Sequence, residues 1–173
     1  PWLKDVRQLI LVPDGALWRV PFQALPSADG RYLIERMTVS YAPSVSALVA
    51  LRARQTARPA APARHLLALG DPLVAATPPP TRLPEAAREV QALGRIYGTA
   101  HSTVLTGAAA TIDALKAGAP RAGVVHIATH GELDDVTPMF SHLALAGDDG
   151  RLEAHELVEI PFAADLVVLS ACE

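Results

Sequence analysis

Short apolar segments that are bounded by turn residues and alternate with helical patterns constrain the fold of this chain more than any other feature. Strands that are apolar on both faces fit a sheet that helices cover on both sides. The sequence therefore predicts an α/β sandwich with a mainly parallel central sheet flanked by helices. The β-like segments are HLLAL (65–69), STVL (102–105), VVHIAT (124–129) and LVVLS (166–170), and helical patterns cover Glu85–Tyr97, Thr111–Ala117 and 154–159.

The N-terminal part contains two extended apolar stretches, Leu9–Val12 and Leu33–Tyr41, which are separated by the turn signals PDG and ADG. This pattern predicts a hairpin-like pair of strands. After it, Ser44 is a suitable N-cap and the apolar residues that follow have helical spacing. We expect a helix from Ser44 that ends by Thr56.

Two segments rich in alanine and proline, ARPAAPAR (57–64) and TPPPT (77–81), predict exposed loops or short linkers. We expect residues 1–173 to form a single domain, in which an N-terminal segment (1–64) precedes a βα core (65–173). The sequence stops one residue after Cys172, immediately beyond an apolar run. We interpret the chain as a domain truncated after that cysteine.

Composition and charge exclude several classes of protein. The formal net charge is -3 and the fifteen Lys and Arg residues are scattered, so direct binding of nucleic acid is not expected. No apolar run approaches the roughly 18 residues of a membrane span, and the N-terminus does not resemble a signal peptide. We expect a soluble, cytoplasmic protein.

The chain contains a single cysteine, Cys172, which excludes an internal disulfide framework and a cysteine-rich zinc site. Cys172 follows one β-like segment, and His130 follows another and precedes Gly131. If those strands are neighbours, the imidazole can ionise the thiol and activate it as a nucleophile. The competing interpretation is a small buried cysteine and a common His-Gly strand exit.

Metal and phosphate sites find no support in the pattern. His126 and His130 are four residues apart, but in a strand that spacing is about 13 Å, too far to share one ion. We expect no metal and no cofactor, and we interpret His126 as a structural histidine with a hydrogen-bond partner. The acidic segments GELDD (131–135) and GDDG (147–150) are solvated turns by default, or can bind a basic substrate side chain.

Several segments resemble the CHAT peptidases, relatives of caspases and separases. The most specific are VVHIATHG (124–131) and LVVLSACE (166–173), in that order. The resemblance extends over nearly the whole chain and implies a caspase-like fold. Its other segments are LILVPDGALWRVPFQAL (9–25), YLIERMTVSYAPSVSAL (32–48), LLALGDP (66–72), LPEAAREVQAL (83–93) and LTGAAAT (105–111).

The resemblance implies that His130 is the general base and Cys172 the nucleophile of a cysteine endopeptidase that cleaves a protein substrate through a thioester. The backbone amides of Gly131 and Cys172 are the implied oxyanion donors. In relatives, tetratricopeptide repeats or a regulatory partner adjoin such a domain, and here they would lie outside the chain. The alternative is a non-catalytic interaction or regulatory module with the same fold.

Overall fold

The computed structural model describes residue 3 and residues 5–57, 65–74 and 82–172, and for residues 55–57 and 172 it describes the backbone only. The chain divides into two compact units, Pro1–Pro59 and Ala60–Glu173. The predicted alanine- and proline-rich loops fall almost entirely outside the described residues.

The first unit contains two strands and one helix. β1 (Gln8–Leu11) and β2 (Thr38–Tyr41) pair in parallel, with Gln8 opposite Thr38. The expected hairpin is therefore wrong. The connection from residue 12 to 37 is long enough to return the chain to the start of β1, and it contains short 3-10 turns, one of which (Leu33–Glu35) takes up residues predicted to be extended.

α1 (Val45–Ala57) begins where the sequence predicts, because the Ser44 hydroxyl accepts a hydrogen bond from the Ala47 N–H at 3.0 Å.

The second unit builds one sheet and three α-helices from the described residues. The expected helices are present with similar bounds. The helices are α2 (Pro84–Tyr97), α3 (Ile112–Gly118) and α4 (Ala154–Leu157). The strands are β3 (Leu66–Pro72), β4 (Ser102–Gly107), β5 (Val124–Glu132), β6 (His142–Ala144), β7 (Arg151–Glu153) and β8 (Leu166–Cys172).

The sheet has the order β4-β3-β5-β6-β7, with β8 also paired to β5. β3 runs parallel to β4 and to β5, and β8 runs parallel to β5. β6 is antiparallel to β5 and to β7. The prediction of a mainly parallel sheet is therefore wrong: the sheet is mixed.

The lengths of the connections explain why the sheet contains both parallel and antiparallel strands. A parallel neighbour needs a crossover of about a dozen or more residues, whereas an antiparallel one needs only a short turn. The connections 133–141 and 145–150 are both shorter than a crossover, so β6 and β7 return antiparallel. The sequence pattern does not predict β6 and β7, because three-residue strands carry too few side chains to show a period.

Helices cover both faces of the sheet, as a strand apolar on both sides requires. On one face, Leu66, Ala68 and Ala128 are buried with Val90 of α2. On the other face, Leu67, Leu69, Val125 and Ile127 form a larger core with Leu115 of α3 and with Leu145 and Leu152 of the β6–β7 region. β3 is buried along its whole length because it lies between β4 and β5.

None of the helices within the described ranges is long and apolar enough to cross a membrane.

Candidate active site

His130 lies within β5 rather than after it, because the strand continues to Glu132. The residue is partly buried, and its Nε2 atom is buried without a hydrogen-bond partner among the described groups. Buried polar atoms in folded proteins nearly always have partners, so an exception calls for an explanation. An imidazole nitrogen without a structural bond is free to exchange a proton with a reacting group.

Cys172 lies in β8, at the position paired with His130. The two strands are adjacent and parallel, and the register runs from Val124 opposite Leu166 to His130 opposite Cys172. Neighbouring strands lie about 4.8 Å apart, and paired positions belong to the same face of the sheet. The backbone thus brings together two positions that are 42 residues apart in the sequence.

Gly131 follows His130 in β5 and is closely packed. A Cβ atom at this position would lie 3.3 Å from the Cβ of Ala171 and 3.7 Å from Cδ2 of Leu143. The distance to Ala171 is tight and the distance to Leu143 is an ordinary contact, so the packing against Ala171 favours glycine. The family resemblance implies that the Gly131 amide is an oxyanion donor, and the packing against β8 is a separate reason for a glycine at this position.

Two cavities meet at this end of β5. One, of about 280 Å³, is lined mainly by apolar side chains, among them Leu143, Leu157 and Leu169. The other, of about 410 Å³, is lined by His130 and by charged groups. Both include Gly131, Glu132 and His142 in their walls, so they adjoin the same short segment.

Residues from the two acidic segments of the sequence line the charged cavity. Glu132 comes from GELDD, and Asp148 and Asp149 come from GDDG. Arg151 is the basic residue in the same wall, and its guanidinium lies 3.3 Å from Nδ1 of His142. Three carboxylates and one guanidinium give the cavity beside His130 a negative balance.

His126 has the structural partner that the sequence predicted, although the partner comes from a helix. Its Nε2 atom lies 2.8 Å from Oε1 of Glu89 on α2. Oε2 of the same glutamate accepts a hydrogen bond from the Ser170 hydroxyl at 3.3 Å. Sequence reasoning missed Glu89, since helical periodicity alone does not say which strand residues a helix side chain reaches.

A second feature that the sequence did not reveal is the buried carboxylate of Asp71, at the end of β3. It accepts hydrogen bonds from Arg82 and from the Leu83 N–H just before α2. The hydrogen bonds from Arg82 lower the pKa of this carboxyl below 3.8, the Leu83 N–H acts in the same direction, and burial opposes both. Its φ of 47° is left-handed, a conformation that Asp and Asn tolerate better than most residues.

The described residues contain no group of three or more His, Cys, Asp or Glu side chains arranged to hold a metal ion. His126 and His130 are both on β5, and His126 is engaged with Glu89.

Comparison with known proteins identifies the family of the chain. No curated protein matches the sequence. The family model of the CHAT domain matches residues 1–173, the whole chain. On that match, together with a sheet that pairs the HG and SAC motifs on adjacent strands, the chain belongs to the CHAT domain family, a caspase-like family.

Proposed function

We propose that this chain is a cysteine endopeptidase domain that hydrolyses a peptide bond in a protein substrate. Cys172 is its nucleophile and His130 its general base. The observation that carries the proposal is the pairing of these two positions on adjacent parallel strands, together with a buried His130 Nε2 that no described group engages.

The reaction has two halves. In the first, the imidazole of His130 takes the thiol proton and the sulfur of Cys172 attacks the substrate carbonyl carbon. The C–N bond then breaks, with the proton passing to the leaving amine, and leaves a thioester. In the second, His130 removes a proton from water, which attacks the thioester and releases the acid and the thiol.

The oxyanion that forms in both halves needs hydrogen-bond donors already in place. The backbone N–H groups of Gly131 and Cys172 are the proposed donors. The absence of a Cβ at Gly131 allows a carbonyl oxygen to approach its amide, and Gly131 lies in the walls of both cavities.

The proposal also covers the cellular location, the regulation and the cofactor requirement of the reaction. A catalytic thiol must stay reduced, and the cytoplasm keeps thiols reduced. A regulatory partner or adjoining tetratricopeptide repeats would control when the substrate is cut. No cofactor is needed, because the thiol and imidazole supply the chemistry.

The test uses the reactivity of Cys172 toward iodoacetamide in the full-length natural protein in its activated form, followed by mass spectrometry of the peptide that contains it. A free thiol has a pKa near 8.5, so about 1% is thiolate at pH 6.5. If the imidazole keeps half of the sulfur ionised, the thiolate fraction rises about fifty-fold. The lower basicity of that thiolate reduces its intrinsic rate roughly eight-fold, so the net gain is about six-fold.

We expect His130→Ala to remove that gain and to abolish proteolysis, as Cys172→Ala should. His101→Ala, which changes an exposed histidine in the turn after α2, is the matched control and should behave like the wild type. Equal alkylation rates for wild type and His130→Ala from pH 5 to 9 would contradict the proposal. The chain would then be better described as a non-catalytic interaction module.

A further inference from the structure

One carboxylate on α2 contacts both strands of the proposed site. Oε1 of Glu89 lies 2.8 Å from Nε2 of His126 on β5, and Oε2 accepts the Ser170 hydroxyl of β8 at 3.3 Å. The His126 side chain is 9% exposed and the Glu89 side chain 42% exposed. The carboxylate therefore forms a bracket between two neighbouring strands at the boundary of the core.

The bracket lies close to the proposed nucleophile. Ser170 is opposite Ala128 and comes two residues before Cys172. At about 3.3 Å per residue along a strand, that places the Ser170 backbone roughly 7 Å from the Cys172 backbone. His126, the other residue that Glu89 contacts, lies on β5, the strand that contains His130.

Apart from its ladder with β5 and the packing of Ala171, β8 has few buried contacts in the described structure. Among the described strands it pairs with β5 alone, so it lies at an edge of the sheet. Leu166 and Leu169 are each 53% exposed and Val167 is 43% exposed, so its apolar side chains contribute little buried contact. A side chain that bridges an edge strand to its one neighbour therefore adds to what fixes the position of that strand.

We propose that Glu89 is a positioning residue that sets the distance between His130 and Cys172 by holding β5 and β8 through His126 and Ser170. The inference rests on the proposed function, because it assigns Glu89 a role in that reaction. A displacement of about 1 Å between reacting groups can cost about a hundred-fold in rate, so a modest hydrogen bond near the nucleophile is sufficient to matter.

Glu89→Gln separates positioning from charge. A glutamine can accept a hydrogen bond through its oxygen and donate one through its nitrogen to the Ser170 oxygen, so it can keep both contacts without the charge. A carboxylate near a thiolate disfavours the thiolate electrostatically. If Glu89 acted only by charge, both Glu89→Ala and Glu89→Gln would alkylate faster than the wild type at pH 6.5.

The experiment measures iodoacetamide alkylation of Cys172 at pH 6.5 and pH 9.5 in the full-length protein. We expect Glu89→Ala and Ser170→Ala to lose most of the roughly six-fold gain at pH 6.5. At pH 9.5 an ordinary thiol is about 90% ionised and keeps its higher intrinsic rate, so both variants should alkylate about seven-fold faster than the wild type. Glu89→Gln and Ser170→Thr, which keep the bonding groups, should stay near the wild-type rate at both pH values.

Glu85→Ala is the matched control, because it removes a carboxylate from the same helix that pairs with Arg88 instead. If Glu89→Ala does not fold, Ser170→Ala tests the same bracket by a change at an exposed position. If Ser170→Ala and Glu89→Ala alkylate at the wild-type rate at pH 6.5 while His130→Ala is slow, the positioning role is overturned. The proposed function would then still stand. Equal rates for wild type and His130→Ala would overturn both.

Discussion

Replacing the buried carboxylate of Asp71 by an amide should destabilise the second unit measurably. Asp71 is 1% exposed. Its Oδ1 atom accepts from Arg82 Nε at 3.0 Å and from the Leu83 N–H at 2.6 Å, and Oδ2 accepts from Arg82 Nη2 at 2.5 Å. Asn is the informative substitution, since it tolerates the left-handed backbone and can still accept from Leu83.

The magnitude follows from those contacts. Hydrogen bonds to a charged group contribute about 1.5 to 3 kcal/mol to stability, and neutral ones about 1 kcal/mol. In the variant, the Asn amide would also place an N–H donor against an N–H donor of the Arg82 guanidinium. The Arg82 side chain is 55% exposed, so water can replace part of the loss on that side. We expect Asp71→Asn to lower the free energy of unfolding by about 2 kcal/mol at pH 7.

The loss should depend on pH in a defined direction. The Arg82 hydrogen bonds lower the pKa of Asp71 below its ordinary value of 3.8, so the folded state holds this proton less tightly than the unfolded state. Such a group stabilises the fold fully above about pH 5, and the contribution disappears as the pH falls through the folded pKa. The difference between wild type and Asp71→Asn should therefore be constant from pH 5 to 8 and shrink below about pH 4.

Urea unfolding followed by far-ultraviolet circular dichroism measures this difference. Tryptophan fluorescence would report on the wrong unit, because Trp2 and Trp18 both lie within residues 1–59. Asp149→Asn, which changes an exposed carboxylate, is the control. An unchanged unfolding midpoint for Asp71→Asn at pH 7, or a difference that persists undiminished at pH 3, would refute the reasoning.

Two further predictions concern packing and metal content. Gly70→Ala should lower the free energy of unfolding by about 1 to 3 kcal/mol in the same assay. The added Cβ would lie 2.8 Å from the Ala86 carbonyl oxygen and within 2.9 Å of both methyl groups of Val90. An unchanged unfolding midpoint would mean that α2 can move away from the new side chain. Protein purified without chelators should contain substoichiometric zinc by elemental analysis, because His126 is engaged with Glu89. One zinc ion per chain that is lost in both His126→Ala and His130→Ala would contradict this prediction.

Features set by neighbouring residues in the sequence could be predicted. The Ser44 cap and the bounds of α2 and α3 depend on local spacing and capping, and the structure has them within a residue or two. Thr111 caps α3 by accepting from the Ala114 N–H at 3.1 Å. Such signals need no knowledge of the rest of the fold.

Features set by partners distant in sequence could not be predicted in the same way. β5 and β8 extend past their apolar runs to include His130 and Cys172 because the ladder between them continues. β6 becomes a strand because Gly131 pairs with Leu143. The Glu89 and Asp71 contacts join different layers, so no local pattern could identify them.

The pairing of β8 with β5 also sets an order in which the proposed site can form. β6 and β7 contact residues close to them in sequence, and such contacts form early. β8 comes last of the described strands and must close the connection 133–165 before it can pair, which costs loop entropy. During synthesis, β3, β4 and β5 can thus pair before Cys172, the proposed nucleophile, is placed beside His130, the proposed base. If the proposed function is correct, the chain is inactive until β8 has paired.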